Sequence, residues 1–309
     1  MIKNKILLLK DLLTNLVREI NRPDEATIFI KIDNLLQEIQ QYREQAKQDK
    51  ELIIKNFFRD NILPIAHQSA FCKYTFDKPR GYAGDFEAME YIWNGKINPD
   101  MHRYLGTTEV GRVINAFTLD SANCRANESR VYRFKDIISK SAYKKVASIG
   151  SGSAIEIREF LKEHPTNEKS FFLYEQDKDA IRRVKQKVTN FNPDIHYFRG
   201  NIIKTILKDQ NKYDLIYSSG LFDYFNIDSS TRLVAALWNK LEDGGSLIIT
   251  NAHPNNPTKL WMEYVGDWYL IYKTNSEMYS LADNLDRINS IDLSLDHMNV
   301  YQYLHITKE

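Results

Sequence analysis

Two glycines, an acid and an amide stand at spacings that suit a bound nucleoside. Gly150 and Gly152 lie in Val146-Ala-Ser-Ile-Gly-Ser-Gly-Ser-Ala-Ile-Glu156, where a short apolar run enters a turn and a helix opens at about Ile155. Glycine lets the backbone approach a ligand closely, and a new helix aims its free N–H groups at that ligand. Glu175 follows directly after the apolar run 171–174, 25 residues past Gly150. A carboxylate there can accept both hydroxyls of a ribose. Asn201, in Arg199-Gly-Asn-Ile202, follows the next apolar run, and its amide can recognise an adenine edge or serve as an ordinary turn residue. The turn residues Ser148, Ile149 and Ser151, the neighbours Gln176 and Ile202, and Ser219-Gly220 complete the expected ligand shell. Asp177 and Asp179 read as the cap and dipole partners of the following helix.

A dinucleotide site wants a third glycine where this chain has Ile155, and a phosphate loop wants Gly-Lys-Ser/Thr, which is absent. Candidates for proton transfer near the same edge are Asp223, Tyr224 and His253. Asp223 reads equally as a cap of the next helix. Tyr82 and Asp85 sit in Lys78-Pro-Arg-Gly-Tyr-Ala-Gly-Asp85, a tight loop before the helix 86–93. They form either a ligand-covering loop or a helix corner in which Tyr82 packs and Asp85 only caps.

The elements that must position these residues divide at about residue 140. Residues 1–140 read as helices. Ile6, Leu9, Leu13, Leu16, Val17 and Ile20 recur at helical spacing, and Asn21-Arg-Pro-Asp-Glu25 breaks the pattern. A second helix covers 26–47 with Ile30, Ile32, Leu35, Leu36 and Ile39 mostly inward, and a third runs from about Glu51 toward Pro64. The basic residues of 125–135 read as a solvated helix face, with Arg130 able to turn inward.

From 141 to 309, strands alternate with helices. Strands are expected at 146–149, 171–174, 195–198, 213–217 and 246–250, with helices at 155–163, 178–188 and 230–241, the last closed by Asp243-Gly-Gly. This order predicts an α/β fold with a doubly wound, Rossmann-like sheet of seven strands. The last two strands, 290–295 and 300–306, form an antiparallel hairpin. The division predicts a helical lid or substrate domain, 1–140, before a ligand-binding domain, 141–309. The aromatic stretch 261–272 reads first as core and second as the wall of an apolar pocket.

The 309 residues are 43% apolar and 27% charged, enough for a real core, and the formal net charge of +1 argues against nucleic acid or anionic membrane as a global partner. Cys72 and Cys124 are far apart and outside any CxxC pair, so neither a disulfide framework nor a metal site is expected. Free thiols fit a cytoplasmic setting. No apolar run reaches spanning length, and the N-terminal Leu-rich run reads as an amphipathic helix because Lys10 and Asp11 interrupt it. A homodimer is compatible with this picture.

Taken together, Ser148-Ile-Gly-Ser-Gly-Ser-Ala154, Glu175, Gly200-Asn201, Tyr213-Asp-Leu-Ile-Tyr-Ser-Ser-Gly220, Leu241-Glu-Asp-Gly-Gly-Ser-Leu-Ile-Ile249 and the terminal hairpin resemble the class I S-adenosylmethionine-dependent methyltransferases. An acid is common in that family where Ser148 stands, and glycine where Ala154 stands. The resemblance implies S-adenosylmethionine as cofactor and a small-molecule acceptor. In such chemistry Tyr82 could lay its ring on the sulfonium, and Asp85, Asp223 and His253 would serve the acceptor side. Arg80-Gly-Tyr-Ala-Gly-Asp85, Gly220-Leu-Phe-Asp-Tyr-Phe225 and the stretch Asn256–Tyr272 are similar to a bacterial group labelled as making 3-hydroxypalmitate methyl ester, an extracellular factor. That narrower resemblance implies a carboxylate or acyl acceptor. Enzymes that cyclise S-adenosylmethionine to azetidine-2-carboxylate have a similar build, so release of methylthioadenosine without an acceptor is the alternative reaction. A non-catalytic binder is the third.

Overall fold

The computed structural model describes residues 1–20, 25–140 and 142–309. The expected helix break at Asn21–Asp24 therefore lies outside the described residues, as do the side chains of Val17 and Ile20. The chain forms two compact units, Met1–Glu128 with Asn256–Tyr269, and Ser129–Asn255 with Leu270–Glu309.

The first unit is helical: α1 (Ile2–Ile20), α2 (Glu25–Glu44), α3 (Gln48–Ala66), α4 (Ala70–Asp77), α5 (Phe86–Ile97), α6 (Pro99–His102), α7 (Glu109–Leu119) and the first part of α8 (Ala122–Ile138). In α1, Ile6, Leu9, Leu13 and Leu16 are fully buried, one face at three- and four-residue steps. In α2, Ile28, Ile32, Leu35, Leu36 and Ile39 bury, whereas Ile30 is 59% exposed. Two residues turn an α-helix by about 200°, so Ile30 points away from the face that holds Ile28 and Ile32. Pro64 sits inside the last turn of α3, which continues to Ala66 before the chain turns at Ser69, the cap of α4.

The aromatic stretch belongs to the core of this unit. Trp261, Tyr264 and Val265 are buried with Phe58 and Phe117, and the Trp261 ring meets Phe117 edge-on at 5.4 Å. Polar anchors fix its register. Gln40 Oε1 accepts from Leu260 N–H at 3.0 Å, and Trp261 Nε1 donates to Thr118 Oγ1 at 3.2 Å.

The second unit carries a seven-stranded sheet of β1 (Lys145–Ile149), β2 (Ser170–Glu175), β3 (Asp194–Arg199), β4 (Tyr213–Ser218), β5 (Leu241–Ala252), β6 (Ile288–Leu295) and β7 (Tyr301–Lys308). Between the strands lie α9 (Ile155–Glu163), α10 (Lys178–Val188), α11 (Ile202–Lys208), α12 (Ile227–Trp238) and α14 (Asn275–Ser280), while the short α13 (Lys259–Tyr264) falls in the first unit. The order is β3-β2-β1-β4-β5-β7-β6; β1 to β5 are parallel, and β7 runs antiparallel to both β5 and β6. The strand order reverses between β1 and β4, where open α/β sheets leave a crevice at the carboxyl edge. The central strands bury both faces and so read as nearly unbroken apolar runs.

The expected helix 230–241 is displaced toward the N-terminus. Asn226 accepts from Ser229 N–H and caps α12, which therefore starts at Ile227 and ends at Trp238. Leu241 then pairs with Tyr213, so Leu241–Gly245 extends β5 rather than closing the helix. A helix not foreseen, α11, opens directly at Ile202 behind its cap Asn201.

Candidate active site

The glycine turn is a backbone device. Gly150 takes φ +69° and donates its N–H to Tyr174 O at 2.9 Å. A Cβ there would lie 3.2 Å from Leu221 Cβ, so both conformation and space call for glycine. Gly152, at φ +52°, donates its N–H to Glu175 Oε2 at 2.8 Å. Ala154 stands at the start of α9 with φ +47° and offers no side-chain cap. A left-handed alanine costs about 1–2 kcal/mol, which is why glycine suits this position. Ser148 is buried in β1, and among the described residues the buried hydroxyls of Ser151 and Ser153 have no hydrogen-bond partner.

Glu175 is 6% exposed. One carboxylate oxygen accepts from Gly152 and the other from Asp177 N–H at 2.9 Å. Burial raises its pKa, opposed by these backbone donors. A carboxylate offers about four lone-pair sites, so two remain for hydroxyl donors. Gln176 follows, and Asp177 caps α10 by accepting from Asp179 N–H at 2.8 Å. Asn201 Oδ1 accepts from Lys204 N–H at 3.1 Å. The cap takes one lone pair of the carbonyl, so the exposed amide keeps its N–H donors and one acceptor site for a base edge. Ile202 is buried beside it.

At the end of β4, Ser218 Oγ donates to Ile149 O at 2.9 Å, tying β4 to the glycine turn. Ser219 and Gly220 follow, half-buried, and Gly220 N–H donates to Thr250 Oγ1 at 3.0 Å. Asp223 is buried and does not cap α12. Its Oδ1 accepts from Ala252 N–H at 2.6 Å, and its carbonyl accepts from Ile271 N–H at 2.7 Å. Burial pushes its carboxyl up to about 6, against the pull of the Ala252 N–H and the charges of Arg130 and Lys273. His253 donates its backbone N–H to Val300 O, and its Nδ1 lies 3.2 Å from Asn255 N–H, which it accepts. The neutral ring therefore carries its proton on Nε2 and presents a donor there. Burial lowers its pKa, favouring that neutral form.

Three charged groups join this edge: Arg130, for which the sequence leaves an inward position open, and Glu156 and Lys273, which no local pattern marks. Arg130, on the second-unit part of α8, is 7% exposed; its guanidinium lies 4.4 Å from the Tyr301 ring centroid. A Cβ on Gly220 would come within 3.3 Å of Arg130 Nη1. Glu156, in the first turn of α9, is buried and accepts from Tyr217 OH at 2.7 Å. Lys273 is 2% exposed and donates to Phe222 O, Phe225 O and Asn251 Oδ1 at 2.8–2.9 Å. Burial brings its ammonium down to about 8.

Ser148–Gly152, Glu175, Gln176, Asn201, Ile202, Ser219, Gly220, Asp223 and His253 thus all end or follow parallel strands at one sheet edge. Tyr82 and Asp85 belong to the first unit. There Asp85 is fully buried, caps α5 through Ala88 N–H at 2.8 Å and accepts from Tyr74 OH at 3.0 Å. Tyr82 is half-buried in the same loop.

Residues 146–245 match a family model described as a methyltransferase domain. No curated protein matches the chain. Among solved structures, a "possible exported protein" from Bordetella parapertussis is similar over 99% of this chain and 95% of its own, with 13% identity and a TM-score of 0.59, a likeness of fold. Magnesium protoporphyrin IX methyltransferase from Synechocystis, with bound S-adenosylhomocysteine, is similar over 72% of this chain and all of its own at 9% identity and a TM-score of 0.48. An O-methyltransferase family 2 protein from Planctomyces limnophilus, in complex with apigenin, covers 83% of this chain and 96% of its own at 15% identity and a TM-score of 0.46. Among the described residues, no helix is long and apolar enough to cross a membrane. The donor set suits a nucleoside cofactor: a carboxylate with two lone pairs to spare, two buried serine hydroxyls without partners, and an uncapped helix start. The match over residues 146–245 supports a methyltransferase that uses S-adenosylmethionine as its methyl donor.

Proposed function

We propose that the acceptor is a small molecule bearing a carboxylate or acyl group, methylated at the edge formed by the ends of β4 and β5. Arg130 carries this proposal. A buried, permanently charged fork of donors beside Gly220 suits a planar oxyanion. The cofactor supplies an electrophilic methyl on a sulfonium. Gly150, Gly152 and the buried hydroxyls of Ser151 and Ser153 would cradle it, and Glu175 would accept from its ribose. Ser148, Ile149, Gln176, Asn201, Ile202, Ser219 and Gly220 complete that proposed shell. The protein's own work is to orient the acceptor and exclude water. A carboxylate acceptor needs no base, which agrees with a His253 whose Nδ1 already accepts a hydrogen bond. Asp223, held by Ala252 N–H, would fix the Phe222–Phe225 loop and balance Arg130.

A second reading is supported by the raised carboxyl of Asp223, which sits where a general base for an alcohol acceptor would work. The test is incubation with S-adenosylmethionine and pools of aliphatic hydroxy acids, amino acids and alcohols, with products read by mass spectrometry. S-adenosylhomocysteine formed only with carboxylates supports the proposal. Formation with alcohols alone, or methylthioadenosine without any acceptor, refutes it. Catalytic roles for Tyr82 and Asp85 are tested in the same assay with Tyr82→Ala and Asp85→Ala. The proposal extends to a cytoplasmic protein, because Cys72 and Cys124 are buried free thiols, and to one without a nucleic-acid partner, because the formal net charge is +1. Cell fractionation reads that setting, and sedimentation reads whether the chain is a homodimer.

A further inference from the structure

A cavity opens in the second unit, away from the glycine turn. It occupies about 650 Å³ between the C-terminal half of α8 and the face of β5, β7 and the β6–β7 hairpin. That volume lies within the range of small-molecule sites. Neither the glycine turn nor Glu175, Gly220 or Asp223 lines it.

Its charge is organised by the way α8 runs along β7. One turn after Arg130 meets Tyr301, the Arg133 guanidinium lies 3.7 Å from the centroid of the Tyr303 ring. Arg133 Nη2 donates to Ser294 Oγ at 2.7 Å. Two turns further, Lys140 faces the same cavity, beside His305 on β7. Among the described residues neither Arg133 nor Lys140 has a carboxylate partner, although the chain has nearly as many acids as bases.

Three acids stand at the cavity, Asp136 and Asp296 on its lining and Asp292 beside His305. Asp296 gives its two oxygens to the N–H groups of Met298, Val300 and Tyr301, at 2.7–3.1 Å. The Asp136 side chain is 76% exposed, 4.0 Å from Lys135. Asp292 stands opposite His305 on β6 and favours the charged imidazole, whereas burial, Lys140 and Arg133 all disfavour it. His297 lies on the hairpin turn at the cavity's rim. The remaining walls are Ser129 and apolar side chains, with Ile248 and Leu295 beside Tyr303. Two cations without a carboxylate partner among the described residues, beside apolar side chains, suit an oxyanion attached to a hydrocarbon body.

We propose that this groove is a second ligand site of the unit, taking a small amphiphilic anion whose carboxylate or phosphate meets Arg133 and Lys140 while its apolar part lies along Ile248 and Leu295. The site is independent of the acceptor proposed above, and its test is arranged so that the two fail separately.

The full-length protein, saturated with S-adenosylhomocysteine, is titrated calorimetrically with octanoate, octyl phosphate, inorganic phosphate and octanol. Octanoate or octyl phosphate is expected to bind one equivalent, with octanol and inorganic phosphate each about tenfold weaker or worse. Preference for octyl phosphate assigns a phosphate headgroup, and preference for octanoate a carboxylate. Lys140→Glu, a change at an exposed residue, is expected to weaken the anion about tenfold and leave S-adenosylhomocysteine binding unchanged. Arg133→Gln is expected to do the same, with its melting temperature measured alongside. Octanol binding as tightly as octanoate, an affinity unchanged by Lys140→Glu, or displacement of the anion by S-adenosylhomocysteine would each overturn the proposal.

Discussion

Glu175 gives the most direct test of the glycine-turn edge. Its carboxylate accepts Gly152 N–H at 2.8 Å and Asp177 N–H at 2.9 Å, leaving two lone-pair sites for ribose hydroxyls. A hydrogen bond to a charged group contributes about 1.5–3 kcal/mol, so losing two such bonds costs about 3–6 kcal/mol before water refills the site. Rehydration takes back part of this, and Glu175→Ala is expected to weaken S-adenosylhomocysteine about 100-fold, near the lower bound. Glu175→Gln is expected to be nearly as weak. Its amide oxygen can keep one backbone N–H, but its Nε2 meets the other donor to donor. Glu175→Gln also leaves one backbone N–H without an acceptor and Glu175→Ala leaves two, each lowering stability by about 1–3 kcal/mol.

The pH dependence carries a sign. Burial holds the free carboxyl above its ordinary range, while ribose donors favour the ionised form. Binding therefore lowers this pKa and releases a proton at mildly acidic pH. Affinity rises as pH climbs through the free-state value and then levels off. Calorimetry across pH, in buffers of different ionisation enthalpy, reads both affinity and proton release. A Kd within threefold of the parent's in Glu175→Ala at every pH would show that the carboxylate only braces the turn.

Other substitutions probe the frame. Gly220→Ala forces φ +103° on an L-residue and brings a Cβ within 3.3 Å of Arg130 Nη1, so a loss of about 1–3 kcal/mol is expected by urea denaturation, together with weaker acceptor binding. Asp85→Ala removes the α5 cap and one of two acceptors of Tyr74 OH, the other being Glu87, for about 1–2 kcal/mol, whereas Asp85→Asn, which can still cap, is expected to keep most of it. Lys273 has a folded-state value of about 8 against an ordinary 10.5. Between those values the unfolded chain binds more protons, so the stability of the parent relative to Lys273→Met is expected to rise as pH goes from 8 toward 10.5. Chemical denaturation at pH 7, 8.5 and 10 measures this, and a flat difference would refute a desolvated ammonium.

What could be read from the sequence, and what could not, divides along the range of the forces involved. The glycine turn is local. Gly150 needs a left-handed φ within a few residues of a strand end, and Ile155–Glu163 shows its helical face without reference to anything distant. Glu175 was legible for the same reason, since strand β2 puts it at a known edge. Local signals also misled. Asp223 reads locally as a cap or as a functional acid alike; Asn226 takes the cap, and Asp223 turns to Ala252 on another strand. Ile30 counted as apolar and therefore inward, although its helical angle turns it outward. Arg130 reaches Gly220 across 90 residues, and Lys273 reaches Phe222 across 51. Nothing in the composition around either cation distinguishes it from a solvated lysine or arginine. Only the sheet order, which places β7 beside β5 and so brings Tyr301 to α8, makes Arg130 a buried group. The aromatic stretch 256–269 announced burial by composition but not its partner, because Gln40 and Thr118, which fix its register, lie more than 100 residues upstream. The two sides of the candidate site therefore differ in kind. The side proposed for the cofactor is made of a glycine turn, its serine hydroxyls and one strand-end acid, which local pattern specifies. The side proposed for the acceptor rests on Arg130, a long cationic side chain whose charge has meaning only once distant elements have removed it from water. Relatives that keep the turn while changing Arg130 would be expected to keep the cofactor and change the acceptor.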